Sequence, residues 1–511
     1  MRRARHDSEG GIVSSAQIND VVIVGRDAPL WLSACVVQAA LGPAGIRVTV
    51  IELPSVLREQ DVYATLPALE ALHNLLRIDE AKLLSATRGA FSLGQNFVDA
   101  SRATPAFFHP YGSCGAPIDG KAFFPYWFRA RGLGLQVALE DFCLTAVAAT
   151  RGRMLIPDAA TQAYGRTDYG YHLPASAYAS WLRKEALQRG VVVHAATTVK
   201  AVRHPERGEI AAVEAGSDRR IEADFFIDAT GSEARLIGAE LAVPRESWRN
   251  HFVADRALVA AGAPLAVIPP YAEIRAWGGG WLGLYPSRAC THVVQAYSSA
   301  QLRDEAALRM AATVSGLNLR DATVGLCDPG RRIEAWAGNC VAVGAAACAF
   351  DPVHSVDLQA LQLGLVHLLS LFPIRRDGTT ERAEYNRIVR QAYERLRDFQ
   401  SAYYAVNRYE HSPFWTAARD ATMSAELAHK IATFRARGEV PLLENESFAA
   451  ESWQALLVGQ GALPESCDPM IDCTSPELVK SEFRRMLGFI RDKVQEQVSH
   501  ADYLQTVCAD G

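Results

Sequence analysis

Val21-Val22-Ile23-Val24-Gly25-Arg26-Asp27-Ala28-Pro29-Leu30 decides the fold. Residues 21–24 form a continuous β-branched run, the pattern of a strand buried on both faces, and Gly25 ends it. Pro29 suits the first turn of a helix, where its missing N–H removes no hydrogen bond. The spacing predicts a helix over residues 29–41 that stops at Gly42-Pro43. Residues 47–51 repeat the β-branched pattern and lead to Glu52. Strand, glycine turn, helix, strand and acid is the order of a dinucleotide-binding βαβ unit, with Gly25 at the phosphate turn and Glu52 placed to accept ribose hydroxyls.

Working outward, residues 177–188 read as a helix closed by Gly190, and a strand begins over 191–193. Residues 221–228 read as a strand entering Ala229-Thr230-Gly231, with Asp228 at its end. A late buried strand over 340–343 runs into Gly344, a turn that can aim a helix N-terminus at phosphate or flavin. Leu358, Leu361, Leu365, Leu368 and Phe372 then mark one helix face before Pro373, and long helices follow over about 381–406 and 477–499. The fold class is α/β with α+β elements. A Rossmann-type FAD-binding module with an interleaved substrate subdomain spans 19–375, a mostly helical region spans 376–511, and 1–18 is a disordered lead-in.

Gly25, Glu52, Gly231 and Gly344 together favour FAD. The alternative is a Rossmann-like scaffold that binds no nucleotide. Of the Gly-x-Gly-x-x-Gly fingerprint only the first glycine stands; Asp27 and Leu30 hold the other two places. A carboxylate about 5 Å from a phosphate, at an effective dielectric near 20, costs on the order of 3 kcal/mol. Arg26 offsets part of this, or Asp27 turns away. Leu30 would push the helix off the strand. FAD is therefore expected to bind weakly, or only as FADH2.

Bulk properties narrow the function class. A net charge of −5 and a pI near 6.3 argue against a nucleic-acid footprint. The basic clusters at Arg375-Arg376 and Arg395–Arg397 read as solvated helix faces. The ten cysteines are irregularly spaced, with no Cys-x-x-Cys pair and no zinc spacing, so neither a metal nor a disulfide framework is expected. No signal peptide or membrane span is expected, and the chain reads as cytoplasmic.

Several blocks carry a family resemblance: His109-Pro110-Tyr111-Gly112, Gly115 to Gly120, Tyr126-Trp127, Tyr171-His172-Leu173, Phe226 to Gly231, Trp336, Asn339 to Gly344, Tyr385-Asn386-Arg387, Ser412-Pro413-Phe414-Trp415, and Trp453 with Gly459-Gln460-Gly461. From about residue 19 onward the chain resembles the flavin-dependent tryptophan halogenases. The resemblance implies FADH2 delivered by a separate flavin reductase and its reaction with oxygen. Halide is then oxidised to hypohalous acid, which travels through a tunnel to a lysine beside an aromatic substrate. A glutamate assists loss of the ring proton, and a Trp-x-Trp-x-Ile-Pro segment separates substrate from flavin.

Against that pattern, Ser92 stands at the lysine position in Ala90-Phe91-Ser92-Leu93-Gly94. The barrier segment reads Trp281-Leu282-Gly283-Leu284-Tyr285-Pro286. Trp281 and Pro286 are kept, while Gly283 leaves an indole-sized space unless a neighbour such as Tyr285 fills it. The Glu-Pro-Leu-Glu-Ser-Thr window reads Asp351-Pro352-Val353-His354-Ser355-Val356. His354 replaces the proton-accepting glutamate, and imidazole can act as a general base near neutral pH. In this window the resemblance implies a catalytic place for Ser355 and cofactor contacts for Asp351 and Pro352, and Val356 replaces the threonine of the flavin- and halide-contacting turn. Thr65 in Ala64-Thr65-Leu66-Pro67 belongs to a strap that contacts flavin. Each has a plainer reading, as a capped, packed or buried residue. Three functions stay open: a halogenase-family oxidoreductase or halide-free monooxygenase acting on an indole-like substrate, a non-catalytic homologue binding an aromatic or a partner protein, and a nicotinamide-dependent enzyme. An oligomer is compatible with all three.

Overall fold

Asp20–Gly25, which contains the Val21–Val24 run, lies at the centre of a six-stranded sheet. The order is Trp336–Ala337, Cys340–Ala342, Phe225–Ala229, Asp20–Gly25, Arg47–Glu52, Val192–Ala195. All pairings are parallel except the edge strand Trp336–Ala337. The computed structural model describes residues 17–217, 219–373, 375, 377–409 and 412–509. Val21 to Val24 are completely buried or nearly so, as a strand covered on both faces must be. The strand register places Gly25 opposite both Ala229 and Glu52, so the expected nucleotide turns share one sheet edge. A Cβ on Gly25 would lie 2.2 Å from the Ala229 carbonyl oxygen, so only glycine allows this approach.

The first helix is Asp27–Leu41 and begins two residues before the expected Pro29. Asp27 enters it with φ 61°, a left-handed conformation that favours glycine and that aspartate tolerates better than most residues. Leu30 is fully buried in the core beneath this helix. The run expected as one strand over 221–228 is two. Arg219–Glu222 pairs with Ile210–Ala215 in a separate three-stranded sheet, and Phe225–Ala229 joins the central sheet. The other expected helices appear as Ala175–Gln188, Asp357–Ser370, Thr379–Ala405 and Pro476–Glu496.

A seven-stranded sheet forms the second layer, ordered Arg320–Leu326, Arg256–Gly262, Thr291–Tyr297, Gly280–Pro286, Ala272–Trp277, Gly94–Asp99, Phe107–Pro110. It is antiparallel apart from one parallel pairing, Ala272–Trp277 with Gly94–Asp99. Long helices from the last third pack against this layer, and Thr379–Ala405 crosses the centre of the molecule with Leu396, Phe399, Tyr403 and Tyr404 buried. That placement overturns one expectation. The side chains of Arg395 and Arg397 are only 11% and 9% exposed. Arg397 donates to Asp398 and lies 5.1 Å from the Trp248 ring centroid. They are buried because this helix is enclosed by neighbours. Of the expected lead-in, residues 1–16 and likewise Arg376 lie outside the described residues, and Ile18 is buried. Among the described residues no helix is long and apolar enough to cross a membrane.

Candidate active site

Two clusters emerge, and the sequence-marked residues divide between them. The first gathers Gly25, Glu52, Asp228, Gly231 and Gly344 at the carboxyl edge of the central sheet, where ligands of such sheets bind. Asp27 is buried, and its carboxylate turns toward the loop after Glu52, where Ser55 and the Val56 amide (3.4 Å) face it. Burial raises its pKa, and these hydrogen bonds and Arg26 only partly oppose that. Arg26 is engaged elsewhere, in an ion pair with Glu233 at 3.3 Å. The half-buried Tyr63 phenol lies by the Ala28 amide in the first helical turn. Burial and the charges of Asp27, Asp357 and Asp61 all push its ionisation up. Asp357 begins the other expected flavin-facing helix. The two helix N-termini that would attract a diphosphate therefore carry the chain's own carboxylates.

Glu52 accepts three hydrogen bonds of 3.1 to 3.2 Å from Arg183, whose guanidinium lies 5.4 Å from the Trp31 ring centroid. A cavity of about 810 Å³ opens beside Glu52 between residues 52–55, 195–198, 215–217 and Arg219. Asp228 is fully buried with both oxygens occupied. Oδ1 accepts from the Thr230 amide and hydroxyl, and Oδ2 accepts from the Leu236 and Ile237 amides. It clamps the turn that follows its strand. Gly231 and Gly344 take φ of 77° and 58°. A Cβ on Gly344 would lie 3.2 Å from Pro29, so the gap between these turns is narrow. Thr65 accepts the Tyr171 amide with its hydroxyl at 2.8 Å. The fit to FAD is split. The cavity beside Glu52 suits the nucleoside end, and the carboxylates at the helix N-termini oppose the diphosphate.

The second cluster gathers Ser92, Trp281, Gly283, Pro286, Asp351, Pro352, His354 and Ser355. His354 and Ser355 take consecutive left-handed conformations, φ 63° and 53°. Such outliers cost about 1–3 kcal/mol each and collect at functional sites. His354 is buried in an aromatic box, with ring centroids of Phe399, Phe97, His109 and Tyr403 at 4.9, 5.4, 5.8 and 5.8 Å. Its Nδ1 is 3.0 Å from Gln95 Oε1. An amide oxygen only accepts, so Nδ1 holds the proton and Nε2 holds a bare lone pair. That Nε2 is buried without a hydrogen-bond partner. Burial first, and the neighbouring His109 second, keep the ring neutral with a pKa well below the usual value. His109 lies opposite Gln95 in the strand register, has both ring nitrogens unpartnered, and is pushed down to about 4 by burial.

Hydrogen bonds tie strand Gly280–Pro286 to the Asp351 turn. The Trp281 indole N–H donates to the Tyr404 hydroxyl (2.7 Å), which donates to Asp351 Oδ1 (2.9 Å). The Val353 amide also donates to Oδ1, while Oδ2 is buried without a partner. Burial raises the Asp351 carboxyl to about 7. The space above Gly283 is filled, because a Cβ there would lie 2.6 Å from the Tyr285 ring. Burial pushes the Tyr285 phenol up to about 12, and Ser355 faces it without completing a hydrogen bond of good geometry. The His172 ring approaches the Pro286 carbonyl oxygen at 3.0 Å. Ser92 is buried, donates to the Gly94 carbonyl at 3.2 Å and faces the Tyr111 phenol. A small cavity of about 150 Å³ lies alongside, lined by Leu66, His109, Tyr111, Gln359, Phe448 and Ser452 among others. Tyr404, Gln95 and Phe448 were not singled out from sequence. Tyr404 and Phe448 carried only the signal of aromatic residues in apolar stretches, and Gln95 carried none.

The tryptophan halogenase family model matches residues 20–476. The chain is 26% identical to tryptophan 7-halogenase KtzQ of Kutzneria sp. (strain 744), covering 96% of this chain and 97% of that protein. It is 25% identical to tryptophan 6-halogenase ThaL of Streptomyces albogriseolus, covering 91% and 94%. Among solved structures, the flavin-dependent halogenase BrvH from Brevundimonas sp. BAL3 superposes with a TM-score of 0.90 at 28% identity, covering 96% of this chain and 99% of that one. Xcc4156, a flavin-dependent halogenase from Xanthomonas campestris, gives 0.91 at 28% identity with the same coverage. The chain belongs to the tryptophan halogenase family, a family of FAD-dependent enzymes.

Proposed function

We propose that this chain is a flavin-dependent oxidoreductase that halogenates an aromatic, indole-like substrate, with FADH2 supplied by a separate reductase and held weakly. The observation that carries the reading is the bare, unpartnered Nε2 of His354 inside an aromatic box next to His109. Buried polar atoms are paired in the great majority of cases, so an orphaned acceptor in a ring-lined box favours a ligand that donates to it. Reduced flavin, when bound, supplies with oxygen the oxidising power that turns a halide into an electrophilic halogen. What the chain supplies is placement and a proton acceptor. Phe399, stacked on Phe448, and Phe97, stacked on Phe107, make the surroundings of His354 apolar and exclude water. As the ring carbon gains halogen, its C–H electron pair returns to the ring and the proton passes to His354 Nε2. Gln95 steadies the imidazolium through Nδ1–H.

Ser92 offers one hydroxyl and no amine, so it orients an oxidant by hydrogen bonding and does not carry halogen covalently. Tyr285 closes the barrier strand where Gly283 would leave it open, which supports separation of flavin from substrate over an open monooxygenase site. The second reading, a non-catalytic homologue that binds an aromatic, draws on Asp27 and Tyr63 at the phosphate turn. One assay separates them. The protein is incubated with a flavin reductase, NADH, FAD, oxygen, bromide and a panel of indoles. Brominated indole that disappears in His354→Leu supports halogenation. Oxygenated product independent of bromide indicates a monooxygenase, and peroxide release at the free-flavin rate indicates the non-catalytic reading.

A further inference from the structure

A third cavity, sharing no lining residue with those beside Glu52 and His109, opens beyond the ends of strands Gly94–Asp99 and Ala272–Trp277. Its volume is about 680 Å³, inside the roughly 300–1,000 Å³ range of small-molecule sites. Trp277, Tyr409 and Trp415 give it aromatic walls, and Arg408 and Asp99 give it charge. The donors are what make this cavity specific. Arg408 Nε and Trp277 Nε1 are both buried with no hydrogen-bond partner among the described residues. One Arg408 Nη donates to the Pro105 carbonyl, and its guanidinium lies 5.8 Å from the Phe107 ring centroid. No acid lies within ion-pair reach of it among the described residues. Asp99 and Glu140 act on it only at longer range, and burial disfavours its charge. The guanidinium without an acidic partner and the indole N–H without an acceptor both belong to residues that line this cavity, and a guanidinium is suited to a planar carboxylate.

Asp99 limits the ligand further. Its Oδ1 accepts from the Ser101 amide and hydroxyl, and its Oδ2 accepts from the Thr104 amide and hydroxyl. All four lone-pair positions are taken, so it offers no seat to an ammonium group.

We infer that this cavity binds an aryl carboxylate without a neighbouring amine, its carboxylate on Arg408 and Trp277 Nε1 and its ring among Trp277, Tyr409 and Trp415. The site is independent of flavin. Its test uses the purified full chain, naphthoate as probe and naphthalenemethanol as the neutral counterpart, with binding followed by calorimetry and by quenching of tryptophan fluorescence. Naphthoate is expected to bind roughly tenfold or more tighter than the alcohol, in keeping with a charge-assisted contact. Arg408→Gln is expected to bring the two probes within about twofold of each other, and Trp277→Phe, which keeps a ring but removes the N–H, to weaken naphthoate alone. Ala103→Trp, in an exposed loop that lines the cavity, is expected to abolish binding of both. Equal binding of acid and alcohol, no binding of either probe at millimolar concentration, or naphthoate affinity unchanged in Arg408→Gln or in Ala103→Trp overturns the assignment. Ala103→Trp keeps the test decisive where loss of the Arg408 contact to Pro105 unfolds its variant.

Discussion

The turn at Gly25 leaves far fewer buried polar atoms unpaired than the box around His354. At the turn, Asp27 faces Ser55 and Val56, an Arg26 Nη holds Glu233 while its Nε is buried without a partner, Arg183 holds Glu52, and Asp228 has both oxygens filled. In the box, His354 Nε2, both His109 nitrogens, Asp351 Oδ2 and the Tyr285 hydroxyl are buried without partners. An unsatisfied buried group costs about 1–3 kcal/mol, so a fold sheds such groups unless something binds them. Apart from Arg26 Nε, the Gly25 turn is satisfied by its own side chains, whereas five buried atoms around His354 are left unpaired, the pattern that supports the proposed ligand there.

Asp351 gives the largest expected effect on this contrast. Its carboxyl rises from 3.8 to about 7 on folding, so the protonated form is the one the fold prefers. The stability this contributes is present below about pH 4 and is lost as pH rises toward 7, on the order of 4 kcal/mol in total. Asp351→Asn keeps the acceptor for Tyr404 and Val353 and does not titrate. The stability difference between variant and wild type, read from denaturant midpoints, is expected to grow from pH 4 to 7 and then level off. Taking the difference cancels the buried histidines, whose lowered pKa values act in the opposite sense. A difference that is flat with pH would place the Asp351 carboxylate in a far better solvated setting.

Asp27→Gly comes next. It removes a carboxylate from a helix N-terminus and puts glycine at a φ of 61°. Flavin titration is expected to show about 100-fold tighter FAD binding, corresponding to ~3 kcal/mol. Unchanged affinity would mean that Asp27 does not face the diphosphate. Gly283→Ala places a methyl 2.6 Å from the Tyr285 ring and is expected to destabilise by about 2 kcal/mol. In a double-mutant cycle Tyr285→Ala should erase that loss, and additive effects would show that the two do not touch. Arg183→Leu should have the smallest effect. Its pair with Glu52 is half-exposed, so thermal stability should fall by less than about 1 kcal/mol.

The sequence revealed the scaffold well because its signals were local. The run Val21 to Val24, the stop at Gly42 and the apolar face from Leu358 to Leu368 each lie within one element. It misplaced the start of the first helix because Asp27 takes a left-handed conformation that no propensity announces. It placed Arg395 and Arg397 in solvent because charge is normally solvated, and only the packing of the long helix shows otherwise. The site was legible as a set of residues but not as a circuit. Gln95 meets His354 across 259 positions and Tyr404 meets Asp351 across 53, and neither pairing leaves a periodic trace. Tyr285 was visible as a candidate filler for the space at Gly283, and the ring does fill it.

The most direct test of the contrast is titration of the purified chain with oxidised FAD and with FADH2, alongside binding of an indole that reports on the His354 box. The expected result is indole binding that His354→Leu weakens, with no stoichiometric uptake of oxidised FAD at equimolar concentration. Tight, stoichiometric uptake of oxidised FAD by the unmodified chain would contradict it.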